Sequence, residues 1–231
     1  MNGAREIYFN TQLKSVPLFS NLSNRQLDIL YKAGVIKKFT RGDVIVYQDD
    51  PGDTFYIVVS GRVKVTLLNE DGKEIVLSIL KGGDFFGELS LLDNAPRSAN
   101  VIIVEDTSLF SLTRTQFYQL ISARPDILRK VLKEICTRLR DADEKIGSLA
   151  FLDVYGRTIR ILQQMAHDQG IKTRNGIEIL NAPTHQELSN MVGASREAIT
   201  RIIKILKENR NLVSYKGRRL ILREYSVKSL L

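Results

Sequence analysis

The sequence predicts an α+β protein in three consecutive parts: an N-terminal antiparallel β-roll or barrel, a long helix that needs a partner helix, and a C-terminal winged helix-turn-helix. Three observations lead there. First, Gly42, Gly52, Gly61, Gly72 and Gly82-Gly83 punctuate the stretch from Val35 to Leu112 every nine to eleven residues. The pieces between them (DVIVYQ, TFYIVVS, RVKVTLL, EIVLSIL) are rich in strand formers, and such spacing indicates an antiparallel sandwich or barrel. Second, Leu128, Leu132, Ile135, Leu139, Ala142, Ile146 and Leu149 alternate spacings of four and three residues. That is an a/d seam, which keeps to one face only if a second helix lies against it, most simply from a second copy of the chain. Third, Lys and Arg number 14 and Asp and Glu 7 from Phe151 to Leu231, whereas the whole chain carries 34 and 26. A basic surplus confined to one small domain points to a polyanion, nucleic acid before membrane.

Composition narrows the class. The 231 residues are 43% hydrophobic and 26% charged, which fits one or two globular domains. There is no charged-then-apolar leader and no apolar run near the ~18 residues of a membrane span, so a soluble, cytoplasmic protein with no membrane partner is expected. The single cysteine, Cys136, excludes an internal disulfide, a multi-cysteine metal site and an iron–sulfur cluster; it reads as a small apolar residue beside the seam. No P-loop, Rossmann fingerprint, zinc spacing or Ser/His/Asp order is present, and Asp49-Asp50 sit in an evident turn, so no enzyme is indicated. No metal is expected.

Taken in order, the chain opens with short helices. Ser23 and Gln26 form a capping box before Leu27, Ile29 and Leu30. In the strand region Asp71-Gly72 signals a two-residue hairpin. Thr113 and Gln116 repeat the capping box and open a short helix ending near Ala123. Pro125 then fits the first position of the long helix, whose 27 residues from Asp126 to Leu152 reach roughly 40 Å at ~1.5 Å per residue. Asp153 is expected to cap the next helix, with Ile159, Ile161, Leu162 and Met165 inward, and a loop leads to the strand-like GIEIL.

Thr184 to Glu187 is a third capping box, opening a short helix to Val192. Gly193-Ala194 makes a turn and Ser195 caps REAITRIIKILKENR. Two helices around a glycine turn constitute a helix-turn-helix. At about 100° per residue, Arg196, Glu197, Thr200, Arg201 and Lys204 share one polar face while Ile199, Ile202, Ile203 and Leu206 turn away. LVSYKGRRLILRE then gives two short strands, a wing with Lys216, Arg218 and Arg219 at its tip. Neither His167 nor His185 reads as catalytic; each fits a structural role or a contact to a DNA backbone.

Within the β region lies FGELSLLDNAPRSANV, residues Phe86 to Val101. Gly87 allows close backbone approach, Glu88 supplies an acceptor pair, and ten residues after Gly87 come Arg97 and Ser98. A phosphate suits the Arg fork and the hydroxyl donor, and a carboxylate suits a ribose hydroxyl, so together they describe a sugar-phosphate pocket.

GELS with PRSA, and EKIGSLAFLDVYGR from Glu144 to Arg157, resemble the phosphate-binding cassette and the helix-to-hinge junction of the cyclic-AMP receptor protein (catabolite activator protein) family of bacterial transcription regulators. The resemblance covers roughly Pro17 to Leu222. It implies a cyclic-nucleotide-binding β-roll over 1–125, a dimerisation helix over 126–152 and a winged helix-turn-helix over 153–231, in a homodimer that binds a pseudo-palindromic double-stranded operator. It assigns the effector site to Gly87, Glu88, Leu89, Arg97, Ser98 and Ala99, with Glu88 on the ribose 2′-hydroxyl and Arg97-Ser98 on the cyclic phosphate. DNA contacts fall on Ser195, Arg196, Glu197, Thr200 and Arg201, on Thr184, His185 and Gln186, and on Lys216 and Arg218. RNA polymerase is an implied partner, through the loop from His167 to Asn175.

One departure stands out. The family's adenine contacts on the dimer helix are Thr-Ser, whereas the matching residues are Ala142 and Asp143. An ionised Asp143 could accept either the adenine N6 amino group or guanine N1–H and N2–H, so chemistry alone lets guanine compete. The resemblance leans to adenine, which makes cyclic AMP the favoured effector, with cyclic GMP next. Haem is not implied, since both histidines lie beyond the long helix. Two rivals stay open: a ligand-independent DNA-binding regulator of the same fold, and a cyclic-nucleotide-binding regulatory subunit of an enzyme.

Overall fold

A computed structural model of the protein describes residues 13, 14, 16–70, 72, 74–209 and 212–223. The chain divides into two compact units, Met1–Arg138 and Leu139–Leu231, and the division falls inside the long helix. Each unit is built around its own antiparallel sheet.

In the first unit a single 3-10 turn, Pro17–Phe19, precedes helix α1 (Asn24–Ala33), and the reciprocal Ser23–Gln26 capping box forms as the spacing requires. Strands β1 (Val35–Phe39), β2 (Val44–Val46), β3 (Thr54–Leu68), β4 (Glu74–Lys81), β5 (Phe85–Phe86) and β6 (Asn100–Thr113) form one sheet in the order β1-β6-β3-β4, with β2 also on β6 and β5 also on β3. All pairings are antiparallel. The long strands β3 and β6 shift register repeatedly against each other, and such irregularities bend and twist a sheet into a roll. Val58, Val63, Phe86, Val101, Ile103 and Leu109 fill one apolar cluster of it. Phe55, Ile57, Phe110 and Leu112 join Phe19, Leu27 and Phe117 in another, between the sheet and the helices.

The Asp71-Gly72 hairpin reading is corrected. Leu68 pairs with Glu74, so five residues intervene. Gly72, at φ 73°, donates to the Asn69 carbonyl at 2.9 Å and turns the chain inside that longer loop; Asp71 itself lies outside the described residues.

Helix α2 (Leu89–Leu92) interrupts the strands, and α3 (Arg114–Ala123) follows β6 with the Thr113–Gln116 capping box in place. Helix α4 runs from Pro125 to Phe151. It carries two apolar faces, of which the seam is one. Ile127 and Val131 are fully buried in the first unit, with Leu128 and Ile135 partly buried beside them. The heptad residues Leu132, Leu139, Ile146 and Leu149 stay 48%, 61%, 64% and 50% exposed. Ala142, assigned to both seam and pocket, is exposed as well.

In the second unit Asp153 caps α5 (Val154–Gln169), its carboxylate accepting from the Gly156 N–H at 2.7 Å. The segment read as a loop before GIEIL contains a short strand, β7 (Ile171–Thr173), paired with β8 (Gly176–Leu180). All three β7 residues are exposed, so no polar–apolar alternation betrays the strand. Helices α6 (His185–Val192) and α7 (Arg196–Glu208) follow, then β9 (Leu212–Lys216) and β10 (Arg219–Leu222); the sheet order is β7-β8-β10-β9. Ile159, Leu162, Leu188, Ile199, Ile203 and Leu220 form this unit's core.

Candidate functional site

The first candidate site grows out of the turn after β5. Gly87 sits at φ 81°, and a Cβ there would fall 2.5 Å from Arg97 Nη1 and 2.8 Å from the Thr54 carbonyl. Only glycine allows this approach. In consequence Arg97 lies against the backbone: its Nη1 donates to Gly87 O at 2.9 Å and its Nη2 to Thr54 O at 2.8 Å, with Tyr56 beneath the guanidinium at 5.9 Å. Arg97 is only 5% exposed, and burial pulls its pKa down. The turn at Asp49 and Asp50 closes the other side, exchanging backbone bonds with Arg97 at 2.9 Å in both directions.

Glu88 is 3% exposed, and burial is the largest cause of its raised pKa, offset by Arg138. Its Oε1 accepts from Arg138 Nη1 at 3.2 Å; its Oε2 is buried without a hydrogen-bond partner among the described residues. An unpaired buried acceptor costs about 1–3 kcal/mol. The carboxylate is therefore suited to a hydroxyl donor brought by a ligand. Ser98 and Leu89 are exposed and Ala99 is buried. Gly87, Glu88 and Arg97 thus come together, and Ser98 stands next to Arg97 in the chain with its side chain outward. Asp143 is exposed on α4.

Two residues of this site escaped the sequence reading. Arg138 holds Glu88 and also donates to Phe85 O at 2.7 Å, stacking over the Phe85 ring at 4.8 Å. Arg114 donates to the carbonyls of Gly52, Ser90 and Leu91 and to Asn94, fastening α2 to the loop before β3. Each is one arginine among many on a helix, and no spacing sets either apart.

The second candidate site is the face of α6, α7 and the wing. Thr184 caps α6 with the reciprocal Glu187 bond, Gly193 ends it at φ 69°, and Ser195 caps α7, accepting from the Ala198 N–H at 3.2 Å. Arg196, Glu197, Thr200, Arg201 and Lys204 are exposed, while Ile199, Ile202, Ile203 and Leu206 are buried. Thr184 and Gln186 are exposed and His185 is half-buried. At the wing Lys216 and Arg219 pair across the Gly217-Arg218 turn, so Lys216, Arg218 and Arg219 all stand at its tip. Arg218 Nη2 donates to Glu187 Oε1 at 2.8 Å, tying the wing to α6, and Arg219 is bonded to Glu178. Lys216 carries no ion pair among the described residues.

The comparisons with known proteins agree with this geometry. Residues 36–124 match the cyclic nucleotide-binding domain model and residues 156–226 the Crp-like helix-turn-helix domain model. The cAMP-activated global transcriptional regulator CRP of Salmonella typhimurium is 37% identical over 188 residues, covering 80% of this chain and 88% of that one. The chain belongs to the CRP/FNR family. A CRP-like cAMP-activated global transcriptional regulator of Mycobacterium tuberculosis is 33% identical over 165 residues, 71% of this chain and 74% of that one. Among solved structures, the c-di-GMP-responsive global regulator CLP of Xanthomonas campestris superposes with a TM-score of 0.76 at 27% identity, over 84% of this chain and 96% of that one. This CRP-family chain is a transcription regulator with a cyclic-nucleotide-binding domain and a DNA-binding helix-turn-helix. Gly87, Glu88 and Arg97 lie within the first matched domain, and the residues of the second candidate site within the other. No helix among the described residues is long and apolar enough to cross a membrane. Among them no cluster of three or more His, Cys, Asp or Glu is placed to hold a metal.

Proposed function

We propose that this protein is a homodimeric, sequence-specific regulator whose grip on DNA is controlled by a cyclic nucleotide, cyclic AMP ahead of cyclic GMP. The observation that carries this reading is Glu88: a carboxylate buried beside Arg97 with one oxygen unpaired has the chemistry to receive a ribose hydroxyl while the arginine faces the phosphate. Gly87, Leu89, Ser98 and Ala99 complete the cassette, and Ala142 and Asp143 on α4 set the base preference. The exposed apolar residues Leu132, Leu139, Ile146 and Leu149 supply the dimer seam along 126–152. Arg196, Glu197 and Arg201 read bases, with Thr184, Gln186, Ser195 and Lys216 on the backbone. RNA polymerase meets the stretch from His167 to Asn175, which includes β7. The functional parts are then 1–125 for sensing, 126–152 for pairing and 153–231 for DNA.

Calorimetry with cyclic AMP, cyclic GMP and cyclic di-GMP tests the effector assignment. Saturable binding, tightest for cyclic AMP, is expected. Absence of binding by all three would leave a ligand-independent regulator, and cyclic di-GMP alone would place the effector class with that of the Xanthomonas relative.

A further inference from the structure

His185 stands where both helices of the helix-turn-helix and the wing meet. It opens α6 directly after the Thr184 cap, its Nδ1 lies 3.0 Å from Thr200 Oγ1 on α7, and its ring meets Tyr215 of β9 edge-on at 5.2 Å. With Thr184, Gln186, Arg196, Tyr215 and Gly217 it lines an open recess of about 450 Å³. In helix-turn-helix domains the first helix crosses the sugar-phosphate backbone, so a residue at its start is placed to meet a phosphate.

A proton on Nδ1 satisfies both hydrogen bonds of Thr200 at once: the one hydroxyl hydrogen goes to the Arg196 carbonyl at 2.9 Å, and Oγ1 receives the Nδ1–H. Oγ1 is then the acceptor and Nδ1 the donor, so a neutral His185 keeps its other nitrogen, Nε2, as a bare lone pair. Among the described residues Nε2 makes no hydrogen bond. A lone pair repels a phosphate oxygen, whereas Nε2–H of the imidazolium donates to it.

We propose that the DNA contact which the family resemblance implies for His185 is made by Nε2 to a backbone phosphate, and that it forms with uptake of one proton per protomer. The proposal rests on the DNA-binding reading above and adds a pH dependence to it. The groups facing His185 explain why the proton arrives with the DNA. Burial, then Lys207 and Arg196 of α7, hold its pKa below the ordinary histidine range in the free protein. On α6 the Glu187 carboxylate is already engaged by the Thr184 N–H and by Arg218. On the wing the Tyr215 phenol, pushed up to about 12 by burial, stays neutral. Among the described residues no free anion stabilises the imidazolium, and a phosphate of the DNA would. The bound form has the higher pKa, so affinity falls as pH rises between the free and bound values, by at most about tenfold per pH unit per protomer.

Fluorescence anisotropy of the full-length protein at pH 6, 7 and 8, at one ionic strength and with saturating cyclic AMP, tests this. The probes are a duplex carrying TGTGA-N6-TCACA, the operator that the family resemblance implies, and an unrelated duplex of equal length. The wild type should weaken with rising pH on both, because a phosphate contact is blind to sequence. His185→Gln should be flat and weaker at pH 6; His185→Arg should be flat and hold its affinity at pH 8. His167→Gln, at the only other histidine, should keep the wild-type slope. A wild type without a slope, or a slope surviving in His185→Gln, overturns the proposal. A protein that binds neither duplex at any pH defeats the DNA-binding reading itself.

Discussion

Arg138 Nη1 donates to Glu88 Oε1 across 3.2 Å, and with its bond to Phe85 O this contact ties the long helix to the turn that carries the cassette. The pair is asymmetric: Glu88 is buried, while the Arg138 side chain is 29% exposed. Burial raises the Glu88 pKa, so the folded state holds that proton more tightly than the unfolded chain does. From the ordinary carboxylate range up to the raised value, stability therefore falls as pH rises. Glu88→Gln, which keeps the shape without the charge, should melt a few degrees higher than wild type at pH 7, with the gain shrinking toward pH 4. It should also lose nucleotide response. Arg138→Ala has the opposite sign, because it leaves the buried carboxylate without its partner; a loss of about 1–3 kcal/mol at pH 7 is expected. Thermal melts of both variants across pH read this out.

The seam can be tested without harming the first unit. Ile135 packs partly against that unit's core, so a charge there would disturb folding as well as pairing. Leu139, 61% exposed in the single chain, isolates the pairing role. Leu139→Asp should place two carboxylates against each other at the twofold axis and give a folded monomer in sedimentation, with operator affinity reduced at least tenfold. A variant that sediments as a dimer would put the interface elsewhere.

Much of this architecture was legible because several signals are local. Capping boxes at Ser23, Thr113 and Thr184 need only four residues each, and all three form. The polar face of α7 follows from helix period alone. The loop between β3 and β4 misled because Asp71-Gly72 marks a turn without fixing the loop length, which the pairing of Leu68 with Glu74 sets. Strand β7 was invisible because its exposed residues carry no pattern. Arg97 was recognised, but not that two of its five N–H donors go to the Gly87 and Thr54 carbonyls; nor were Arg114, Arg138 or the Arg218–Glu187 pair. Those bonds join residues 10 to 62 positions apart in sequence, and a charged side chain does not announce which distant group it meets.

On DNA, the resemblance to a family whose half-site is TGTGA, and whose SRE-x-x-x-R pattern this chain keeps from Ser195 to Arg201, implies that a twofold dimer should select TGTGA-N6-TCACA or a near relative, with half-sites ~34–36 Å apart. Arg196 and Arg201 suit guanine O6 and N7, and Glu197 suits a cytosine N4 donor, each pair discriminating by roughly 1–3 kcal/mol. Selection from random duplexes should show Glu197→Ala relaxed at one base pair per half-site. Lys216→Ala should weaken all duplexes alike and lower the salt slope by about 1 for each phosphate left without its lysine. Arg218→Ala should act differently, through the wing position that its bond to Glu187 maintains.

Of the two residues that the resemblance assigns to the base, Ala142 offers nothing polar, so the proposed function gives base choice to Asp143. Asp143→Ala should change affinity or the ratio between cyclic AMP and cyclic GMP, while leaving the phosphate interaction in place. Equal affinities for both nucleotides in wild type and variant, measured by calorimetry, would remove Asp143 from the pocket.

On the proposed function the central claim is coupling: a nucleotide held by Glu88 and Arg97 would shift the dimer toward the state that binds DNA, and it could do so only through a difference in affinity for the two states. Operator affinity with and without cyclic AMP, in wild type and in Arg97→Leu, measures it most directly. Cyclic AMP should tighten wild-type binding to the operator at least tenfold and leave Arg97→Leu unchanged. Equal operator affinity of the wild type with and without the nucleotide would contradict the account.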